Sequence, residues 1–225
     1  MKKNSNVNTV KSDNRALILN EIRKNPLSRA ELSKVTGLSK SAVTAIVSEL
    51  IAEGRLCETV SVRAPKGRRP VLLDINAEHR FAAGLYLHRK RLSALITNMK
   101  SGITAKSSAS PSDFISGEDA AVWLCGEIKR LALENGIPFS KLIGVGISSP
   151  GPLDRVRGLI LNPPNFELFR NIDIVSLVQR ELSLPAVLEN NAVLLAMSEY
   201  FYGRMKKFKN SIFVIISDGI GACIM

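Results

Sequence analysis

The stretch Ser28 to Glu53, SRAELSKVTGLSKSAVTAIVSELIAE, constrains the chain more than any other. It divides into two short helical segments at Gly37. Ser28-Arg29-Ala30-Glu31 has the form of a capping box, in which the Ser28 hydroxyl accepts from the Glu31 amide and the Glu31 carboxylate accepts from the Ser28 amide. Leu32 and Val35 give this helix an apolar face, and Gly37 supplies the positive φ of a sharp helix end. Leu38 then plugs the corner, and Ser39 is the N-cap of the second helix. Val43, Ile46, Val47, Leu50 and Ile51 fall at i, i+3, i+4, i+7 and i+8, a single apolar face. Ser39, Lys40, Ser41, Thr44 and Ser48 lie on the other side, and short polar or cationic side chains suit a major groove. Upstream, Asn14 to Lys24 forms a third helix, with Leu17, Ile18 and Ile22 closing a small core. A three-helix bundle with a solvated polar face has the same pattern. The segment that follows decides between them.

Leu56–Val62 alternates like a strand, Arg63–Pro70 (RAPKGRRP) is a cationic Gly/Pro loop, and Val71–Ile75 is a second strand. Together they read as a hairpin with a basic tip, the wing of a winged helix-turn-helix. Arg63, Lys66, Arg68 and Arg69 are placed for phosphates or a narrow minor groove, and Gly67 lets the backbone approach closely. Such a loop alone would be an ordinary solvated one. After a helix pair it points to DNA. Residues 1–80 carry 15 Lys+Arg against 8 Asp+Glu, and residues 81–225 carry 16 against 12, so the cationic excess is concentrated in the first third.

A length of 225 residues suits a small domain over residues 10–76 and a larger one over 80–225. The N-terminus has cations but no apolar segment of the secretory type, and no apolar run is long enough to span a bilayer. A cytoplasmic protein with no membrane partner is the expectation. Cys57, Cys125 and Cys223 are odd in number and widely spaced, and with His79 and His88 they make neither a disulfide framework nor a metal cluster. No metal site is therefore expected. Ala105–Ser112 (AKSSASPS) is the nearest approach to a flexible loop.

From Phe81 the period changes. Phe81–Leu87, Leu92–Thr97 and Ile103–Ser107 read as strands, Ala120–Glu134 as a helix ending at Asn135-Gly136, and Leu142–Ser148 as a buried strand. Val175–Leu182 is helical, Ala186–Glu189 a short strand, Ala192–Tyr202 a helix, and Ser211–Ser217 another buried strand. Strands followed by helix–strand alternation indicate an α/β domain with a mixed sheet.

Three ordered motifs in this domain resemble the ROK family of repressors, open reading frames and sugar kinases. They are Gly144-Val145-Gly146-Ile147 through Ser149-Pro150-Gly151-Pro152-Leu153-Asp154, then Leu161-Asn162-Pro163-Pro164-Asn165, then Glu189-Asn190-Asn191-Ala192. The N-terminal module with its Gly67-Arg68-Arg69-Pro70 wing is similar to the family's regulator branch. The resemblance implies an actin-like, RNase-H-type ATPase fold, a sugar or sugar-phosphate effector, and homodimers or higher oligomers on double-stranded operator DNA. In the family a later Glu-x-x-His segment and a cysteine-rich zinc motif complete the sugar site. Neither occurs before Met225, so a first lobe without the second, and no cofactor, are the expectation.

The resemblance also sets enzyme against sensor. ROK kinases hold phosphate and magnesium with a D-x-G-G-T turn. Tyr86 stands at that Asp and His88-Arg89 at the glycines, and large side chains cannot cradle phosphate as bare glycine amides do. The kinase base is the Asp of Glu-Asn-Asp-Ala. Asn191 stands there, and a carboxamide has no useful basicity, though it can still hydrogen-bond a hydroxyl. The second phosphate loop reads Ser217-Asp218-Gly219-Ile220-Gly221-Ala222-Cys223, with a carboxylate where phosphate would sit. No catalytic residue is therefore expected. Asn190 and Asn191 match sugar-contacting positions and Asn165 lies in the loop near that site, and each is also readable as a turn or cap residue, Asn191 as the cap of the helix that follows it. The expectation is a sequence-specific DNA-binding transcriptional regulator, a sugar-responsive repressor of carbohydrate uptake or catabolism genes. The alternatives are a ROK-type sugar kinase and a degenerate DNA-binding protein that senses nothing.

Overall fold

The computed structural model describes residues 7–60, 71–217 and 219–225. The wing tip with Arg63, Lys66, Arg68 and Arg69, and Asp218 of the glycine turn, lie outside the described residues. Two compact units emerge, Met1–His79 with Asn98–Ser101, and Arg80–Thr97 with Gly102–Met225.

The first unit is built from α1 (Val7–Lys24), α2 (Arg29–Thr36), α3 (Lys40–Ala52) and an antiparallel pair, β1 (Leu56–Val60) with β2 (Val71–Ile75). α2 starts on the expected capping box, with Ser28 Oγ accepting from the Glu31 amide at 3.3 Å and Glu31 Oε2 accepting from the Ser28 amide at 2.8 Å. Those bonds from Ser28, the backbone amide first and the hydroxyl next, hold the Glu31 carboxyl below the usual carboxylate range. We expect Ser28→Ala to cost this unit about 1 kcal/mol in a urea melt. The stabilisation from Glu31 itself is present above pH ~4.5 and is lost as pH falls through the lower folded-state value. Gly37 ends α2 at φ 71, where any side chain would be strained, and Ser39 caps α3 by accepting from the Ala42 amide.

Ile18, Ile22, Leu32, Val43, Ile46, Val47, Leu50, Leu56 and Leu73 form the core of this unit, with Leu38 and Ile51 packed at its margin. Three expectations change here. α1 begins at Val7 rather than Asn14. Leu17 faces outward and Leu19 packs in its place, because the buried stripe of α1 runs through Ile18 and Ile22 and Leu17 is turned about 100° from Ile18. Val35 is 55% exposed, since the chain bends by 118° between α2 and α3 and the short helix meets the core through Leu32 alone.

The second unit carries a five-stranded sheet in the order β10-β6-β3-β4-β5, formed by β3 (Phe81–His88), β4 (Arg91–Asn98), β5 (Ile103–Ala109), β6 (Leu142–Ser149) and β10 (Ala186–Asn190). β3, β6 and β10 run parallel, which requires crossovers. α4 (Gly117–Glu134) and α5 (Ile174–Leu182) supply them and pack against each other. Phe81, Ala83, Leu85 and Leu87 alternate along β3 toward these helices, over a core that holds Leu124, Ile128, Phe169 and Val178. Cys125 lies in this core, and burial pushes its thiol up to about 11. Native protein should therefore resist alkylation at Cys125 and react there only on unfolding, as peptide mass mapping would register.

The rest of the unit consists of a small antiparallel sheet, the helix α6 (Asn191–Phe201) and a C-terminal hairpin. The sheet is β7 (Leu153–Asp154), β8 (Leu159–Ile160) and β9 (Ile172–Asp173), and the hairpin pairs β11 (Ile212–Ile216) with β12 (Ile220–Ile224). Ala105–Ser112 is not a flexible loop. It is most of edge strand β5, paired with β4, followed by a one-turn helix at Pro111–Asp113. Its polar residues suit an edge strand with a solvated face. The strand read as buried at Ser211–Ser217 is buried on neither side: Ile216 is 77% exposed, and Phe213 and Ile215 are only half-covered. Leu142–Ser148 buries one face, with Ile143 pointing outward.

Candidate nucleic-acid interface and ligand cleft

α3 is fixed by Val43, Ile46, Val47 and Leu50, all pointing into the core. That leaves Lys40, Ser41, Thr44 and Ser48 exposed in one row, with Ser39 at its start. Three hydroxyls in this row are already engaged. Thr44 Oγ1 donates to the Lys40 carbonyl at 2.8 Å, and Ser39 Oγ lies 3.0 Å from Ser41 Oγ. Each keeps lone pairs for an outside donor. Sequence reasoning passed over Ala45, which is exposed between Ser41 and Ser48. Its methyl group has the size to meet a thymine methyl, and its signal was the i+4 and i+3 spacing to those serines.

Behind this row, α1 grips the C-terminal half of α3. Arg15 Nη1 donates to Glu49 at 2.9 Å and Arg15 Nη2 to Glu53 at 2.6 Å, while Lys11 reaches Glu49 at 2.8 Å. Arg55 joins Glu53 at 3.0 Å. The Lys11 bond holds Glu49, and the Arg15 bond holds Glu53, below the usual carboxylate range.

The second unit holds a cleft of about 310 Å³ between the end of β3, the start of α6 and the β11–β12 turn. Tyr86, His88 and Arg89 form one wall, Asn190 and Asn191 the floor, and Gly219 and Gly221 the far side. The rings of Tyr86 and His88 stack at 5.7 Å and 10° on the face of β3 opposite α4. Arg89 Nε donates to the Pro164 carbonyl at 2.9 Å. A Cβ on Gly221 would come within 2.9 Å of Ala192 Cβ, so the hairpin and α6 approach as closely as backbone allows.

The two asparagines divide the work differently from the sequence expectation. Asn190, not Asn191, caps α6: its Oδ1 accepts from the Ala192 amide at 2.9 Å. Asn191 is the first helical residue, and its Oδ1 accepts from Ser148 Oγ at 2.6 Å, tying α6 to β6. Asn165 is exposed at φ 54 in the loop before Phe166 and is not part of the cleft wall. Among the described residues no group of three or more His, Cys, Asp or Glu is placed to hold a metal ion. No single helix there is long and apolar enough to cross a membrane.

Sequence comparison places a MarR family model on residues 12–69 and the ROK family model on residues 93–225. A xylose repressor of Bacillus spizizenii is 33% identical over 216 residues, which is 94% of this chain and 55% of that protein. The DNA-binding transcriptional repressor Mlc of Escherichia coli is 20% identical over 204 residues, 89% of this chain and 49% of Mlc. The chain thus spans about half the length of the curated relatives it matches. Among solved structures, a ROK family transcriptional regulator homologous to E. coli MLC matches 96% of this chain and 54% of its own at TM-score 0.71 and 23% identity, which shows the fold. A ROK hexokinase from Thermus thermophilus matches 64% of this chain and 46% of its own at TM-score 0.56 and 26% identity. With a MarR-like helix-turn-helix region ahead of an actin-like kinase fold, and more than half of its length under the family model, the chain belongs to the ROK family.

Proposed function

We propose that this protein is a sequence-specific DNA-binding transcriptional regulator, a repressor of carbohydrate uptake or catabolism genes that responds to a sugar or sugar phosphate. The observation that carries this reading is α3: one face is locked into the core, and the opposite face presents Lys40, Ser41, Thr44 and Ser48 in one exposed row. In the proposed complex these side chains enter the major groove, Ser39 stands at the helix start, and Arg63, Lys66, Arg68 and Arg69 of the wing hold phosphate or minor groove. Support comes also from relatives described as a xylose repressor and as the repressor Mlc. Double-stranded operator DNA is the partner, a homodimer or higher oligomer the working form, and the cytoplasm the location. Thr44→Ala should change base preference by ~1–3 kcal/mol at one position of a selected duplex. A preference profile identical to wild type would remove α3 from base readout.

The effector site of this reading is the cleft, which Asn190 and Asn191 line, with Asn165 in a nearby loop. An effector acts only through a difference in affinity between DNA-competent and incompetent states. A thermal-shift series with pentoses, hexoses and their phosphates tests this part, and no shift with any of them favours the degenerate, non-sensing alternative.

Phosphoryl transfer is not part of the proposal. The resemblance to a ROK hexokinase keeps the kinase alternative in view. Against it, the resemblance sets Tyr86 and His88, whose rings stack, at positions where the kinases keep Asp and glycine, and Asn191 gives its acceptor oxygen to Ser148. A carboxamide there cannot take the hydroxyl proton, a contribution of about 10²–10⁴ in rate. ATP-dependent hexose phosphorylation by purified protein, abolished in Asn191→Ala, would reverse this conclusion.

A further inference from the structure

The core fixes how α3 is rotated about its own axis, because Val43, Ile46, Val47 and Leu50 must all point inward. Their packing also confines the tilt to a narrow range, within which directional contacts can select one value. Directional side-chain contacts reach α3 from α1, with one more from Arg55 at Glu53. Lys11 and Arg15 are four residues apart and share one face of α1, and four residues also separate Glu49, in the last turn of α3, from Glu53, its C-cap. Arg15 spans both carboxylates, with separate guanidinium nitrogens at 2.9 Å from Glu49 and 2.6 Å from Glu53. Its side chain is only 20% exposed, while both carboxylates are 40% exposed. A planar fork bonded on two sides constrains direction as well as distance, which a single exposed ion pair does not. Glu49 follows directly on Ser48, the last residue of the exposed row, so the clamp acts at the far end of that row.

We infer that Arg15 is a positioning residue for DNA recognition: by bridging Glu49 and Glu53 it sets the tilt of α3 that brings Lys40, Ser41, Thr44 and Ser48 to base edges, without touching DNA itself. The clamp also neutralises two carboxylates on the helix that faces the phosphates. This inference rests on the DNA-binding reading above.

The test measures binding of the full chain to a duplex selected from a randomised library and to a scrambled duplex, across a salt series. The proteins are wild type, Arg15→Gln, Arg15→Lys and the double variant Glu49→Gln/Glu53→Gln. Arg15→Gln should lower the selected-to-scrambled affinity ratio tenfold or more while the slope of log K against log salt stays as in wild type. Arg15→Lys keeps the charge but not the fork, and should recover only part of the ratio. The double variant keeps Arg15, should lose the ratio to the same extent, and should lose nothing more when Arg15→Gln is added to it. That variant keeps the inference open to disproof should Arg15→Gln fail to fold. A slope reduced by about 0.9 would make Arg15 a phosphate contact and overturn the inference. So would a ratio unchanged in a variant whose melting temperature has fallen, which would leave Arg15 a stabilising residue only. A wild type that prefers no duplex overturns the DNA-binding reading itself, and this inference with it.

Discussion

Leu50→Ala is expected to unfold the first unit while the second stays folded. Leu50 is fully buried and packs with Ile46, Val47, Leu56 and Leu73. Truncation of a buried leucine to alanine costs about 2–5 kcal/mol. A unit of this size holds roughly 4–12 kcal/mol in total, so the change removes much of its margin. The lone tryptophan separates the two units spectroscopically. Trp123 sits on α4 in the second unit, with its ring 5.3 Å from that of Phe114. Helical circular dichroism should therefore be partly lost at low temperature in Leu50→Ala, while the Trp123 emission transition keeps its wild-type midpoint. Two transitions that move together would mean that the units stand or fall as one.

The second large effect is electrostatic. Replacing Arg63, Lys66, Arg68 and Arg69 together with alanine removes four cations from the wing. If each neutralises one phosphate, the slope of log K against log salt becomes shallower by about 3–4 units, at roughly 0.9 per contact. Affinity at low salt should fall for selected and scrambled duplexes alike, because phosphate contacts carry little sequence information. Thr44→Ala should do the opposite, changing which sequence is preferred and leaving the slope alone. An unchanged slope in the four-fold variant would take the wing out of the interface.

Local chemistry was the most legible part of the chain. The capping box at Ser28 and Glu31, the positive φ at Gly37 and the Ser39 cap depend on neighbouring residues only, and each was visible in the sequence. The exposed row on α3 followed from the apolar stripe opposite it. Errors came where tertiary contact decides. Leu17 and Val35 are apolar at near-helical spacing, but each lies outside the narrow arc that reaches the core. Ser108 and Ala109 look like loop residues and became strand because β4 offered a partner for the ladder. Ile212–Ile216 has the composition of a buried strand, yet composition does not say whether a covering layer lies in the same stretch of chain. In the cleft, the resemblance pointed to Asn190 and Asn191. Which of them caps α6 and which meets Ser148 depends on a one-residue difference in where the helix begins, and sequence patterns do not resolve that.

The central claim is that α3 reads DNA sequence. Selection of bound duplexes from a randomised library by the purified chain, followed by affinity measurement across a salt series, tests it most directly. The account predicts enrichment of one motif, bound at least about 10³-fold more tightly than a scrambled duplex at physiological salt. It also predicts a linear log–log fall of affinity with salt and a motif that changes in Thr44→Ala. No enriched motif, or one that survives substitution of Lys40, Ser41, Thr44 and Ser48 together, would contradict it.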